Sequence, residues 1–303
     1  MTLFAAPELG EAKAWSLVRA FARRARRREP VNARTWFAFT PSGEAEPVAP
    51  ELGSLWVEPG ADPCFGTREP MTAAAERLFT LYLPLCVGDA ARALVLAHLA
   101  QSLDGQVATS SGASRYLTGA SNLVHTHRLR ALSDAVVVGA GTAEQDDPQL
   151  TTRLVPGENP VRVVIDPRLR VSGARRVFTD GAAPTLVVCA AGVARGRGSS
   201  PAVELVEVPS ENGLLSPAAI VAALRRRGLW RLFIEGGGVT VSRFLRARLL
   251  HRLQVTIAPV ILGVGRQGIG MPAIDAIEHA LRPRARRFEL GEDVMFDCEL
   301  EAP

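Results

Sequence analysis

From residue 91 to residue 303, short apolar runs keep giving way to stretches of helical spacing, and this alternation restricts the chain more than any other feature. It is the order that a sheet with crossover helices requires, so an α/β domain is expected over 91–303. Leu94–Ala100, Ala135–Gly139, Val161–Asp166, Thr185–Ala190, Arg231–Glu235 and Leu253–Ile261 read as strands. Gly119–Ala131 has helical spacing, Ser216 opens a helix to Arg227 with its hydroxyl as the expected N-cap, and a further helix follows Gly238 as far as Leu250. Arg287–Glu301 alternates like a final hairpin or edge strand. Residues 1–90 differ in texture, being irregular and rich in proline and glycine. Helices are expected there at Glu11–Arg28, with a stripe of Trp15, Val18, Phe21 and Ala22, and at Thr72–Leu83, with short strands at Thr35–Thr40 and Ser54–Val57. This part reads as an accessory segment that packs on the core or extends a dimer interface.

Composition narrows the function classes. Apolar residues make up 47% and charged residues 22%, which suits a buried core and not a disordered chain. The formal charge is +4, carried almost wholly by arginine, since Lys13 is the only lysine. Guanidinium groups are forked donors suited to phosphate. Cys64, Cys86, Cys189 and Cys298 form no CxxC pair, so neither a zinc knuckle nor a disulfide scaffold is expected, and a reduced, cytoplasmic protein is. The first residues lack the pattern of a signal peptide, and the longest apolar runs, Leu78–Val87 and Leu253–Val264, are too short to span a bilayer. Arg23–Arg28 reads as a nucleic-acid patch or a solvated helix face, and the second is favoured because no aromatic stacking platform accompanies the run.

Three segments bear on chemistry. In RLFIEGGGVTVSRFL a strand delivers Gly236, Gly237 and Gly238 into the start of a helix. Glycines let the backbone approach a ligand, and the helix N-terminus offers N–H groups and partial positive charge, which suits a pyrophosphate or serves as a tight turn alone. Glu235 ends that strand, placed to hold hydroxyls or an amine, or to cap the turn. In VVVGAGTAEQDDPQLTTR a strand runs into the small-residue turn GAGT, followed by Asp146, Asp147 and Arg153. Paired acids suit acid/base work, Asp147-Pro148 suits turn initiation, and no third ligand lies near enough in sequence for a metal, so none is expected. In SLDGQVATSSGAS, Asp104-Gly105 marks a tight turn with Ser110, Ser111 and Ser114 nearby. One absence is informative: a zinc nucleotide deaminase needs H-x-E and P-C-x-x-C, and neither occurs, for Pro63-Cys64 has no second cysteine and no histidine has a glutamate two residues on.

Taken together, these segments resemble the reductase half of the bacterial bifunctional riboflavin-pathway deaminase-reductase and its stand-alone relatives. The resemblance runs from about Leu94 to about Glu301. It includes the SLDG loop, the run from His127 to Thr142, D-D-P-x-L-T from Asp146, P-V-R-V-V-I-D from Pro160 to Asp166, E-G-G-G from Glu235 and I-A-P-x-I-L-G from Ile257 to Gly263. It implies a dihydrofolate-reductase-like three-layer fold with a central mixed β-sheet, NADPH as cofactor, a homodimer, and reduction of a ribosylamino-pyrimidine 5′-phosphate to its ribityl form. It implies cofactor contacts from Ala100, Tyr116, Thr142, Asp146 and the run Gly236, Gly237, Gly238, Val239 and Thr240 on to Arg243. Substrate contacts are implied from His98, Ser114, Arg130, Leu150, Arg153 and Glu235, with Glu235 and Asp146 as the candidate catalytic acids.

Three positions depart from the family. Tyr116 stands where tryptophan can occur, Pro167 where a cofactor-binding serine can occur, and His98 where the bifunctional proteins carry a lysine facing the pyrimidine. Arg168, Arg170, Arg195 and Arg197, in or near segments that follow strands, favour NADPH over NADH. Other readings are a pteridine, dihydrofolate or secondary-metabolite reductase on the same fold, and an NADPH-binding regulator without turnover. The retained Arg130, Arg153 and Ser114 favour a phosphorylated ligand. Neither nucleic acid nor membrane is expected as a partner.

Overall fold

The computed structural model describes residues 8–29, 31–60, 62–88, 93–114, 116–193 and 203–301. The chain divides into two compact units, Met1–Leu94 and Val95–Pro303. Arg195 and Arg197 lie outside the described residues.

In the first unit, α1 (Glu11–Arg26) buries Trp15, Val18, Phe21 and Ala22, the stripe that the sequence shows. Its arginines gather in the last turn, where the helix dipole favours cations, and Glu44 holds Arg19 and Arg23 at 2.9 and 3.2 Å. The helix α2 (Ala73–Tyr82) starts on a working cap, the Thr72 hydroxyl accepting from the Ala75 N–H at 3.1 Å. Where the sequence suggests two strands there are four: β1 (Thr35–Phe39), β2 (Ala45–Val48), β3 (Leu55–Glu58) and β4 (Cys64–Thr67), antiparallel in the order β2-β1-β3-β4. Phe37 of β1 meets Phe21 of α1 with ring centroids 5.1 Å apart, so one face of the sheet joins the helix in a common core. Trp36 and Trp56 are cross-strand partners, with Arg68 stacked over the first and Arg34 over the second.

In the second unit, nine strands form one sheet in the order β10-β9-β8-β7-β13-β5-β14-β17-β16. They are β5 (Leu94–Ser102), β7 (Ala135–Gly139), β8 (Val161–Ile165), β9 (Thr185–Ala190), β10 (Val203–Val208), β13 (Arg231–Glu235), β14 (Arg252–Ala258), β16 (Arg284–Leu290) and β17 (Asp293–Glu299). Strands β10 through β13 run parallel, β14 is parallel to β5, and the β16–β17 hairpin closes one edge antiparallel to β14, making the sheet mixed. Val137 and Ile234 share a core with Ile220 and Leu224 of α6 (Pro217–Arg225) and with Val241 and Phe244 of α7 (Gly238–Arg246). The alternate residues Val136, Val138 and Phe233 are just as buried on the other face, along with Leu129 and Leu132 of α3 (Ala120–Leu132). Burial on both faces explains the continuous apolar runs.

Several local expectations are corrected. GAGT is not a turn: Gly139 is the N-cap of α4 (Ala140–Asp146), whose last residue precedes Asp147 in a left-handed conformation at φ 42°. The Ser216 hydroxyl makes no cap bond, and Pro217, with its fixed φ, begins α6 instead. Helix α7 stops at Arg246 because Arg248 takes φ 53° and the Leu249 N–H turns back to the Phe244 carbonyl. Strand β14 ends at Ala258, before Pro259, which has no N–H to give a ladder. Two short ribbons have no counterpart in the sequence reading: β6 (Gln106–Thr109) with β15 (Gly265–Gln267), and β11 (Ser210–Glu211) with β12 (Leu214–Leu215).

Candidate active site

A cleft of about 610 Å³ opens where β7 and β13 end side by side and hand the chain to α4 and α7. The crevice beyond the carboxyl ends of parallel strands is where α/β sheets hold ligands, because backbone N–H groups and helix starts face outward there. His98, Leu99 and Ala100 of β5, Gly139 to Thr142, and Glu235 to Thr240 line it. Ser114, Leu117 and Thr118 line it from the loop after β6, and Asn122 and Thr126 from α3.

The glycine run does two jobs. Gly237 is the N-cap of α7, and its N–H donates to the Thr142 hydroxyl at 3.4 Å, tying α7 to α4. A Cβ on Gly236 or Gly237 would come no closer than 3.7 Å to any neighbour, and on Gly141 it would meet nothing within 4 Å, so these three leave open cleft beside bare backbone. Gly238 serves packing: a Cβ there would fall 1.8 Å from the Gly268 carbonyl oxygen, which presses on the first residue of the helix.

Glu235 does not cap its turn. Arg130 of α3 forks onto it, Nε to Oε2 at 2.7 Å and Nη2 to Oε1 at 2.5 Å, while Nη1 donates to the Thr151 carbonyl at 2.9 Å. The guanidinium is buried, and its geometry is the bidentate pairing that arginine forms with carboxylates. Next to it, the His127 ring accepts the Arg153 N–H at Nδ1 (3.0 Å), and the Arg153 guanidinium reaches only the Thr151 hydroxyl, at 3.2 Å. Burial pushes His127 down to about 4, with Arg130 and Arg153 adding to the effect.

On β5, His98 is buried, and burial pushes its imidazole down to about 4 against the pull of Glu235. It is therefore neutral at pH 7. Its Nε2 lies 3.0 Å from the Thr256 hydroxyl, which donates to Asn122 Oδ1 at 3.0 Å, while Asn122 Nδ2 donates to Thr118. Since the hydroxyl proton goes to Asn122, the Thr256 oxygen accepts from His98, so Nε2 carries the ring proton and Nδ1 keeps a lone pair. Behind it, His125 stands edge-on at 5.1 Å and bonds to Gln254, which Asp297 orients.

Of the residues singled out from sequence, the fold brings His98, Ala100, Ser114, Thr142, Asp146 and Glu235, the run Gly236, Gly237, Gly238, Val239 and Thr240, and Arg243 to the one cleft. Tyr116, Arg130, Leu150 and Arg153 do not line it. Tyr116 is 95% exposed at φ 65°, Leu150 is buried at φ 55°, and both arginines are directed at Glu235 and Thr151 as described. Asp147 is engaged elsewhere, with Arg176 at the start of α5 (Arg176–Thr179). Asp104 of the SLDG loop is an anchor: its carboxylate accepts from the Ser102 hydroxyl and from the N–H groups of Leu262 and Gly263, and the Ser102 bond foremost keeps its pKa low. Sequence reading missed Asn122, Thr126, Gln145 and Arg266. The i, i+4 spacing of Asn122 and Thr126, and the glycine-rich run from Gly263 to Gly270 around Arg266, were the available signals.

Residues 93–294 match the family model of the RibD C-terminal domain. The riboflavin biosynthesis protein RibD of Aquifex aeolicus is 35% identical over 205 residues, covering 65% of this chain, which spans only 54% of that protein. The 2,5-diamino-6-ribosylamino-4(3H)-pyrimidinone 5′-phosphate reductase of Methanothermobacter thermautotrophicus is 34% identical over 226 residues, covering 68% of this chain and 97% of that protein. Among solved structures, a diaminohydroxyphosphoribosylaminopyrimidine deaminase/5-amino-6-(5-phosphoribosylamino)uracil reductase from Thermotoga maritima superposes with a TM-score of 0.59 at 25% identity, over 78% of this chain and 64% of that one. The mixed sheet, the cleft at its strand ends and these matches agree: the chain belongs to the RibD C-terminal domain family.

Proposed function

We propose that this chain is a reductase that uses NADPH to convert the ribosylamino side chain of a pyrimidine 5′-phosphate to the ribitylamino form. The observation that carries this reading is the convergence, in one cleft, of a glycine-opened helix start with Glu235, Ser114 and a neutral His98. The residues fit a dinucleotide: Gly141, Gly236 and Gly237 leave room that any Cβ would take up, and the first N–H groups of α7 lack partners within the helix. Ala100, Thr142, Asp146, Val239 and Thr240 complete the cofactor side. Tyr116, wholly open to solvent, would reach the cofactor only from the cleft's rim. Arg168 and Arg170 follow Pro167, which lines the cleft, and would meet the 2′-phosphate that distinguishes NADPH from NADH.

The bound cofactor supplies the hydride; the chain holds the opened sugar. Each Glu235 oxygen accepts one bond from Arg130 and keeps a second lone pair for a sugar hydroxyl. Arg130 fixes that carboxylate, Leu150 shapes the turn behind it, and Ser114 with Arg153 is left for the phosphate. A neutral His98 with its lone pair on Nδ1 suits a ring amino group, where a lysine ammonium in its place would suit an oxo group. This favours the 2,5-diamino pyrimidine, the substrate in the name of the Methanothermobacter relative. A homodimer fits the apolar residues exposed between Val260 and Leu281, among them Ile261, Val264, Ile274 and Ile277. No helix among the described residues is long and apolar enough to cross a membrane, and a cytoplasmic location accords with the reading.

The test is NADPH oxidation with the diamino and the oxo pyrimidine 5′-phosphates side by side, with and without a chelator, and again with NADH. Oxidation of NADPH, faster with the diamino compound and indifferent to the chelator, is expected. No oxidation with either pyrimidine removes the reading.

A further inference from the structure

Two arginines line the cleft, Arg243 and Arg266, and the partners of both are neutral. Arg130, Arg175 and Arg176 each hold a carboxylate, whereas Arg243 donates to the Leu215 carbonyl and Arg266 to the Gln145 side-chain oxygen, both neutral. Arg266 is also held in place by an unusual amount of local structure. It lies on β15, paired with Ala108 of β6, and a bulge separates it from Gln267. Consecutive strand residues point to opposite faces, and the bulge is what lets both Arg266 and Gln267 line the cleft. Its guanidinium lies against Gly112, where a Cβ would fall 2.7 Å from Nη2. From there it reaches Gln145 of α4, one turn from Thr142. Two residues further on, Gly268 is pressed against Gly238, so the strap that carries Arg266 is fixed to the N-terminus of α7. Its backbone is tied again by the Gly268 N–H to the Gly105 carbonyl and the Gly270 N–H to the Ser242 hydroxyl.

We propose that Arg266 is a binding residue for the cofactor's diphosphate, closing over the anion held at the start of α7 and exchanging the Gln145 oxygen for phosphate oxygens. The inference rests on the NADPH reading above. A guanidinium whose resting partner is a neutral amide gives up little when an anion replaces it, since charge-assisted bonds are roughly twice as strong as neutral ones. Arg266 reaches Gln145 on α4, on the side of the cleft where α7 starts, whereas Arg153 lies beside Thr151 and does not line the cleft.

The experiment is titration of the full chain with NADPH, followed by nicotinamide fluorescence, for wild type, Arg266→Gln and Arg266→Lys, at low and high salt. Arg266→Gln is expected to raise the Kd about tenfold to a hundredfold. Arg266→Lys should recover part of that loss, the gap between wild type and Arg266→Gln should shrink at high salt, and KM for the pyrimidine phosphate should stay within about twofold in both. Melting temperatures without ligand should agree among all three proteins, which separates binding from folding. An NADPH Kd that Arg266→Gln leaves unchanged, or a rise confined to the pyrimidine KM, overturns the inference while the reductase reading stands. Wild type that binds no NADPH overturns both.

Discussion

Arg130 and Glu235, 105 residues apart, meet as a fork on a carboxylate that lines the cleft, with both ends largely buried. Because the pair is desolvated, removing one partner leaves a buried charge unmatched, which typically costs 3–5 kcal/mol, whereas replacing both by apolar groups is far milder. Arg130→Ala is therefore expected to destabilise the protein by about 3 kcal/mol in urea denaturation. The double variant Arg130→Met/Glu235→Met should recover most of that loss. Additive losses in the double variant would show that the pair is not coupled.

Arg153 makes the opposite case. Its guanidinium has the Thr151 hydroxyl as partner and, among the described residues, no carboxylate, and burial together with the neighbouring Arg130 charge lowers its pKa. A cation in that position gains from a phosphate. Arg153→Ala should raise KM for the pyrimidine phosphate about tenfold to a hundredfold, with NADPH affinity nearly intact and the fold unaffected. An unchanged KM assigns the phosphate elsewhere.

These two arginines show where the sequence is readable and where it is not. Strand β13, its glycines and the helix after them are local: period, breaker and restart all lie within fifteen residues, and the structure follows them. The resemblance likewise led to Arg130 and Glu235, but their pairing depends on α3 folding back beside β13, and no local pattern encodes that. For Arg266 the glycine-rich run around it marks a turn region but not its aim, which depends on a bulge in a ribbon whose strands are far apart in sequence. The N-terminal sheet was half legible. Its strands are only four or five residues long, β2 carries Pro47 at a sheet edge, and the outward Trp36 and Trp56 blur the inside-out alternation.

The buried histidines predict how stability varies with pH. Burial depresses His98 and His127 to about 4 and His125 well below its ordinary value. In the unfolded chain each titrates near 6.5, so on acidification the unfolded state takes up protons that the native state refuses. The stability these neutral rings contribute is complete above pH 6.5 and is lost as the pH falls towards 4. For His98 alone, linkage gives a loss of about 2 kcal/mol between pH 7.5 and pH 5. Urea midpoints should fall over that interval, and less so in His98→Gln. Midpoints that do not change with pH would mean that these rings are solvated and titrate normally.

The tautomer of His98 sets the last expectation. Asn122 takes the Thr256 proton, Thr256 accepts from His98 Nε2, and the ring is left with an acceptor at Nδ1. An acceptor welcomes a ring amino group and repels an oxo group by leaving two lone pairs face to face. Buried polar groups without partners are the strongest source of discrimination a site has. His98→Lys replaces the acceptor by a donor-only ammonium, so the ratio of kcat/KM for the diamino over the oxo pyrimidine should fall by about tenfold, while NADPH affinity holds. Thr256→Val gives an independent check, because it frees the ring to take either tautomer: the ratio should then drift towards unity without inverting. A preference for the oxo compound that neither substitution moves would take His98 out of substrate selection and leave it as a packed residue of β5.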